Sequence, residues 1–204
     1  MKMKDRHYKS LMSRYRSAQD DTAREEIRQE IWKIFGQKRA TLVTDMSGFT
    51  YLSHRYGSIH YLSMIEMMEE VITQVVEEHE GTVVKCEADN TFCIFENPKC
   101  ALEASLVINK ALDIKNLELE EKFQVSISCG IAYGSILVLE NEIYGQSVII
   151  ASKLGEDIAK RGEILVSKDC FDIIDDQLEV VKTAVTLDIS KVEVACFYVT
   201  TTTA

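Results

Sequence analysis

The sequence lacks the features that mark membrane, zinc-stapled or nucleic-acid-coating proteins. No stretch approaches the roughly 18 consecutive apolar residues of a membrane span, and the opening Met1-Lys-Met-Lys-Asp has no apolar centre of a signal peptide. A cytoplasmic protein with no membrane span is therefore expected. The six cysteines form no Cys-x-x-Cys pair, and none of the four histidines supplies zinc-ligand spacing beside one of them. They read as reduced, mostly buried thiols. Positive charge is scarce: the formal net charge is −10, with 11 Lys/Arg against 6 Asp/Glu in residues 1–40 and 12 against 27 thereafter. So acidic a body argues against a broad nucleic-acid surface, which needs clustered Lys/Arg. There is no Gly-x-Ser-x-Gly elbow, no Walker-type phosphate loop and no Gly-x-Gly-x-x-Gly, so those three chemistries fall away. Internal repeats and low-complexity segments are missing too.

What remains is an ordinary globular composition: 204 residues, 46% hydrophobic and 27% charged. A chain of this size hides roughly 70% of its unfolded surface and needs no staples. Residues 1–38 read as a helical extension, because Tyr8, Leu11, Tyr15, Ala18, Ala23, Ile27, Ile31 and Ile34 recur every three or four positions. Thr22 with Glu25 has the form of a capping box that would divide the region into two helices. The stripe must be covered by the rest of the domain or by a second copy, so a dimer seam is one expectation. The basic head reads as a solvated helix or as a contact for an acidic partner or an anionic membrane.

Residues 39–204 read as one domain. A β-prone run at 40–45 ends on Asp45, and a helix carrying Ile59, Leu62, Ile65, Met68, Ile72, Val75 and Val76 inward stops at Gly81, placed as a left-handed terminator. Strands at Thr82–Glu87 and Thr91–Glu96 flank Ala88-Asp89-Asn90 as a hairpin. Pro98, the only proline, opens a further helix. Strands at Gln124–Ile131 and Ser135–Leu139, a helix over Gly145–Ile158, a strand at Glu163–Val166 and a β-pair at Glu179–Ile189 and Val192–Thr200 complete the reading. The order βα-ββ-α-β with β-rich additions is that of an α+β protein.

Two carboxylates stand out. Asp45 closes a strand before a Gly-containing turn that opens a helix, where free backbone N–H groups attract anions. Taken alone it also reads as a helix cap, and Asp89 alone reads as a turn former. If the hairpin pairs beside the first strand, both reach one end of the sheet and could hold divalent ions against a triphosphate.

Four ordered blocks carry a family likeness over roughly residues 39–200. Leu42-Val-Thr-Asp45-Met-Ser-Gly-Phe-Thr50, Gly81 to Phe95 around Lys85 and Asp89, Ile143-Tyr-Gly-Gln-Ser-Val-Ile-Ile-Ala-Ser-Lys153-Leu, and Gly162-Glu-Ile-Leu-Val-Ser167 resemble successive motifs of the class III nucleotidyl cyclases, the adenylate and guanylate cyclases. The resemblance implies a ferredoxin-like βαββαβ core with additional strands, working as a homodimer. It implies that Asp45, the Met46 carbonyl and Asp89 bind two Mg²⁺ or Mn²⁺ ions. The N–H groups of Ser47, Gly48, Phe49 and Thr50 would hold the β- and γ-phosphates. Lys85 and Glu142, from the other subunit, would read the base. A lysine donor and a carboxylate acceptor complement adenine and oppose guanine, so ATP is expected over GTP. The Gly-Gly-Asp/Glu-Glu-Phe hairpin of the related diguanylate cyclases is not present at 88–90.

Three positions depart from the family pattern. Ile149 replaces an asparagine that orients the ribose, Lys153 an arginine that stabilises the pentavalent phosphate, and Ser128 a phosphate-binding arginine. Lysine keeps charge but loses the planar fork. The resemblance thus implies a slow adenylate cyclase, with Asp45, Asp89 and Lys153 as catalytic groups; the alternative is a catalytically silent cyclase-like module that binds nucleotide or dimerises.

Overall fold

The computed structural model describes residues 3–174, 178, 180–189 and 192–201, with the backbone alone at residues 3–5, 50, 189, 192 and 201. Glu179, the first residue of one expected strand, lies outside the described residues, as do residues 202–204. Helices α1 (Met3–Ser17) and α2 (Asp21–Phe35) open the chain. The cap between them is Asp20 rather than Thr22: its backbone is extended and its carboxylate accepts the Ala23 N–H at 2.8 Å. Leu11, Ile27, Ile31 and Phe35 bury one another with help from Leu137 and Leu139, so this chain covers its own stripe. Ile34, expected inside, is 43% exposed because Phe35 takes the inward place.

Strand β1 (Gly36–Met46) follows directly. Where one helix was expected there are two, α3 (Phe49–Tyr56) and α4 (Ser58–Glu78), separated by Gly57 at φ 81°. The inward stripe of α4 starts only at Met64, leaving Ile59 and Leu62 exposed. The helix terminates through Glu80, not Gly81, in the left-handed region. Gly81 is needed for a different reason: a Cβ there would stand 2.3 Å from the Phe95 ring. Strands β2 (Gly81–Glu87) and β3 (Asn90–Phe95) form the hairpin, and Asn97 caps α5 (Pro98–Asn116) by accepting the Lys99 N–H.

The two strands expected between 124 and 139 are one continuous β4 (Ile127–Val138), against which the two-residue β5 (Ile143–Tyr144) folds back. Helix α6 (Gln146–Ser152) continues as a π-helical turn, Lys153–Ile158. Strand β6 (Ile164–Ser167), the short α7 (Lys168–Phe171) and the pair β7 (Val180–Ile189) and β8 (Val192–Thr201) complete the chain.

One sheet runs in the order β2-β3-β1-β4-β6-β8-β7, with β4 and β6 parallel and the other neighbours antiparallel. Alternation along the strands divides its side chains between two cores. Leu42, Cys93, Ile127 and Ile131 face α4 and α5, while Val43, Phe92, Ala132 and Ile136 face α6. The βαββαβ core expected from the sequence is therefore present, with helices on both faces. Among the described residues no helix is long and apolar enough to cross a membrane.

Candidate active site

Asp45 stands one residue before the end of β1, opposite Asn90 of β3 and Ser128 of β4. The β2–β3 turn is tied to this strand end, since the Met46 N–H donates to the Asp89 carbonyl at 3.3 Å. Both carboxylates are thus half-buried at one end of the sheet, and Asp45 feels the charge of Asp89. Burial, then Asp89, Glu156 and Asp157, raise the Asp45 pKa to about 7. Burial also raises Asp89, and burial raises Glu156 against the Ser152 hydrogen bond that lowers it, with Asp157 and, more weakly, Asp89 adding to the rise and Lys153 opposing it. Every charged group acting on Asp45 is itself an acid.

Glu156 and Asp157 were not legible as site residues. They arrive here because the π-helical turn lies directly on the sheet. A Cβ on Gly155 would meet the Val43 carbonyl at 2.8 Å and the Gly130 nitrogen at 2.9 Å, and one on Gly130 would meet the Ala151 carbonyl at 2.1 Å. Two facing glycines permit that approach. The only sequence signal was Gly155 interrupting a helical pattern.

The donor set suits a hard cation. Two half-buried carboxylates with no cation between them repel each other, and the buried Asn90 Oδ1 beside them has no hydrogen-bond partner. Oxygen donors of this kind are what Mg²⁺ and Mn²⁺ take. Among the described residues no group of three or more His, Cys, Asp or Glu could hold a metal ion; the fit rests on the carboxylate pair, the Asn90 oxygen and backbone carbonyls. Met46 can contribute only its backbone, because its side chain is buried in the α4–α5 core.

The raised Asp45 has a sign that can be measured. The folded protein holds its proton more tightly than the unfolded chain does, so stability is fully present below pH 4 and falls as pH rises from about 4 to about 7. In chelator-treated protein at pH 8, Asp45→Asn should therefore raise Tm. After discounting for solvent screening of a half-exposed pair, the gain is about 1 kcal/mol, or roughly 2–4 °C. The gain should disappear at pH 4. Thermal melts at both pH values check it, and equal shifts at both would contradict the assignment.

The turn after Asp45 is narrower than expected. The Ser47 N–H already donates to the Ser126 carbonyl at 2.9 Å, so Ser47 offers no amide to a ligand. Gly48, at φ 83°, precedes α3 with no side-chain cap. That leaves the amides of Gly48, Phe49 and Thr50 at the helix start, where N–H groups have no intrahelical acceptor. The Phe49 ring is fixed edge-on against Tyr61, with centroids 5.0 Å apart.

On the α6 face, Lys85 lies over the Phe92 ring at 4.8 Å and pairs with Glu87 at 2.8 Å and Glu142 at 3.1 Å. The Glu87 hydrogen bond, with help from Glu142, raises its pKa despite some burial. The two expected base readers are therefore brought together, and Glu87 is an addition the sequence did not reveal. Lys153 pairs with Asp157 at 2.5 Å on its own helix, and Ile149 is 54% exposed. Ser128 is only 2% exposed and its hydroxyl donates to the Asp45 carbonyl at 3.4 Å, so it ties β4 to β1 instead of facing a ligand. The groups that shift Lys85 do not include Asp45 or Asp89. One chain holds an acidic cluster at the end of β1 and, apart from it, the Lys85–Glu142 pair.

Residues 37–200 match the family model described as the adenylate and guanylate cyclase catalytic domain. Among solved structures, the chain is similar to an adenylate/guanylate cyclase/hydrolase from Silicibacter pomeroyi, with a TM-score of 0.70 and 22% identity over 82% of this chain and 99% of that one. It is also similar to the adenylyl cyclase CyaB from P. aeruginosa, with a TM-score of 0.71 and 18% identity over 82% and 97%. A curated relative from Rhizobium meliloti (strain 1021), "Putative adenylate cyclase 3", is 25% identical over 145 residues, 71% of this chain. The chain spans 23%, 15% and 33% of the length of three curated relatives that it matches. The family match covers the βαββαβ core together with the acidic cluster and the Lys85–Glu142 pair, and the chain belongs to the adenylate and guanylate cyclase catalytic domain family.

Proposed function

We propose that this domain converts ATP to cyclic AMP and pyrophosphate at a site completed by a second copy of the chain. The observation that carries the reading is the Lys85–Glu142 pair at 3.1 Å. It places a permanent donor beside a permanent acceptor, the polarity that adenine N1 and its 6-amino group require. Guanine, which presents the reverse pattern, would leave both groups opposed to like partners.

Asp45, Asp89 and the Met46 carbonyl would hold two Mg²⁺ or Mn²⁺ ions, which when bound ease deprotonation of the ribose 3′-hydroxyl and neutralise the triphosphate. The amides of Gly48, Phe49 and Thr50 orient the β- and γ-phosphates. From the partner, Lys85 and Glu142 fix the base, and Lys153 supplies positive charge to the pentavalent phosphorus as the 3′-oxygen attacks and pyrophosphate leaves. Two features keep the rate low: Lys153 is shared with Asp157, and Ile149 offers the ribose no hydrogen bond. The same features favour the second reading, a nucleotide-binding module without turnover. Incubation with ATP and Mn²⁺ decides between them. Cyclic AMP above an Asp45→Ala control supports the enzyme; metal-dependent ATP binding without product supports the module; neither result sinks both.

Base choice has its own test. Lys85→Glu should lower ATP use relative to GTP by about 1–3 kcal/mol, roughly 5- to 150-fold, because it faces adenine N1 with an acceptor. Competition kinetics with the two nucleotides measure the ratio. An unchanged preference would refute the role of Lys85.

A further inference from the structure

Strand β6 is short, four residues between the twelve of β4 and the ten of β8. Where it ends at Ser167, its neighbours run on, and the sheet is left with a notch. The far parts of β4 and β8 form the sides, the start of α7 the floor and α6 the roof, enclosing a cavity of about 490 Å³. It is lined by neither Asp45 and Asp89 nor Lys85 and Glu142. Its size falls in the range of small-molecule sites.

Two hydroxyls lining it are unexplained by the fold. Ser147 of α6 is 5% exposed and Ser167 at the end of β6 is 6% exposed, and neither Oγ has a hydrogen-bond partner. A buried hydroxyl without a partner carries its desolvation penalty uncompensated, by about 1–3 kcal/mol. Helix geometry does not rescue them: Ser147 does not return its hydroxyl to a carbonyl one turn back, and Ser167, at the N-cap of α7, makes no side-chain cap hydrogen bond. Gly134 admits Ser147 closely: a Cβ there would stand 3.2 Å from the Ser147 Oγ.

The other walls narrow the ligand. Ala132, Ile150, Val194 and Ala195 give apolar sides, and the exposed mouth carries Lys168, Asp169 and Glu193. Lys168 is ion-paired with Asp172, so the mouth is negative on balance. Hydroxyls inside, methylene-compatible walls and carboxylates at the rim match a molecule with an aliphatic chain and amino ends. An ammonium group can donate to hydroxyl and carboxylate oxygens alike.

We propose that the notch beyond β6 is a second ligand site for a small aliphatic di- or polyamine, held by Ser147 and Ser167 within and by Asp169 and Glu193 at the mouth. The test is calorimetric titration of the 204-residue chain with 1,4-diaminobutane and its uncharged counterpart, 1,4-butanediol. Saturable diamine binding is expected, with the diol at least about tenfold weaker, as loss of a charge-assisted contact implies. The Ser147→Ala/Ser167→Ala variant should weaken diamine about tenfold or more, and Asp169→Asn/Glu193→Gln should remove the advantage of diamine over diol. Because the latter two side chains are exposed, that variant tests the site even if the serine variant misfolds. Asp45→Asn should leave the affinity unchanged, which separates this site from the acidic pair on β1. No saturable binding of diamine, equal binding of the diol, or loss of binding in Asp45→Asn would each overturn the proposal.

Discussion

Mixing Asp45→Asn subunits with Lys85→Glu subunits is expected to restore cyclase activity well above what either variant shows alone. Asp45→Asn removes one of the two proposed metal-binding carboxylates from the acidic half-site, and such a loss should reduce turnover by about 10³-fold or more, the scale of deleting a group that acts only in the transition state. Lys85→Glu weakens ATP use at the other half-site, by up to the roughly 150-fold expected above. Within one chain the two half-sites do not touch electrostatically: Asp45 responds only to acids, and Lys85 to Glu87 and Glu142. In a shared site, a mixed dimer keeps one complete site, with Asp45 from one subunit and Lys85 from the other. About a quarter of wild-type activity should return, since half of randomly paired dimers are mixed and each has one intact site of two. A mixture no better than the average of its components would mean that each chain acts alone.

The second large effect runs the other way. Ile149→Asn combined with Lys153→Arg should raise kcat by at least about 10²-fold, since one missing, well-placed donor typically accounts for 10² to 10³. Both side chains lie on the α6 segment, where Ile149 is largely exposed and Lys153 is held by Asp157, so the replacements need little repacking and should leave stability within about 0.5 kcal/mol. Arginine matters beyond its charge. Its fork can keep Asp157 on one edge and present the other to phosphate, whereas one ammonium must divide itself between the two. Steady-state rates with ATP and Mn²⁺ measure the change. An unchanged kcat, with the fold intact, would place α6 outside the reacting centre and favour the module that binds without turnover.

Much of this was legible in the sequence because it depended on local periodicity. The strand ending in Asp45, the hairpin around Asp89 and the Asn97–Pro98 helix start each follow from residues that are neighbours in the chain. What was missed depended on contacts between distant segments. Glu156 and Asp157 enter the acidic half-site only because Gly130 and Gly155 let a helical turn settle on the sheet. Nothing near Ser47 indicated that the Ser126 carbonyl would take its N–H. The exposed start of α4 misled for a related reason: Ile59 and Leu62 fit the helical spacing, but the chain breaks at Gly57 and the buried stripe begins later. Periodicity reports which residues share a helix face, not how far along the helix its covering neighbour extends.

The proposed joining of the two half-sites across a dimer is best tested by diffraction from crystals of this chain soaked with Mn²⁺ and a non-cyclisable ATP analogue, recording anomalous scattering from the metal. The expected result is manganese about 2.1–2.4 Å from oxygens of Asp45 and Asp89 in one subunit, with adenine against Lys85 and Glu142 of the other. Manganese bound away from that carboxylate pair, or an adenine held by the same subunit that holds the metal, would contradict it.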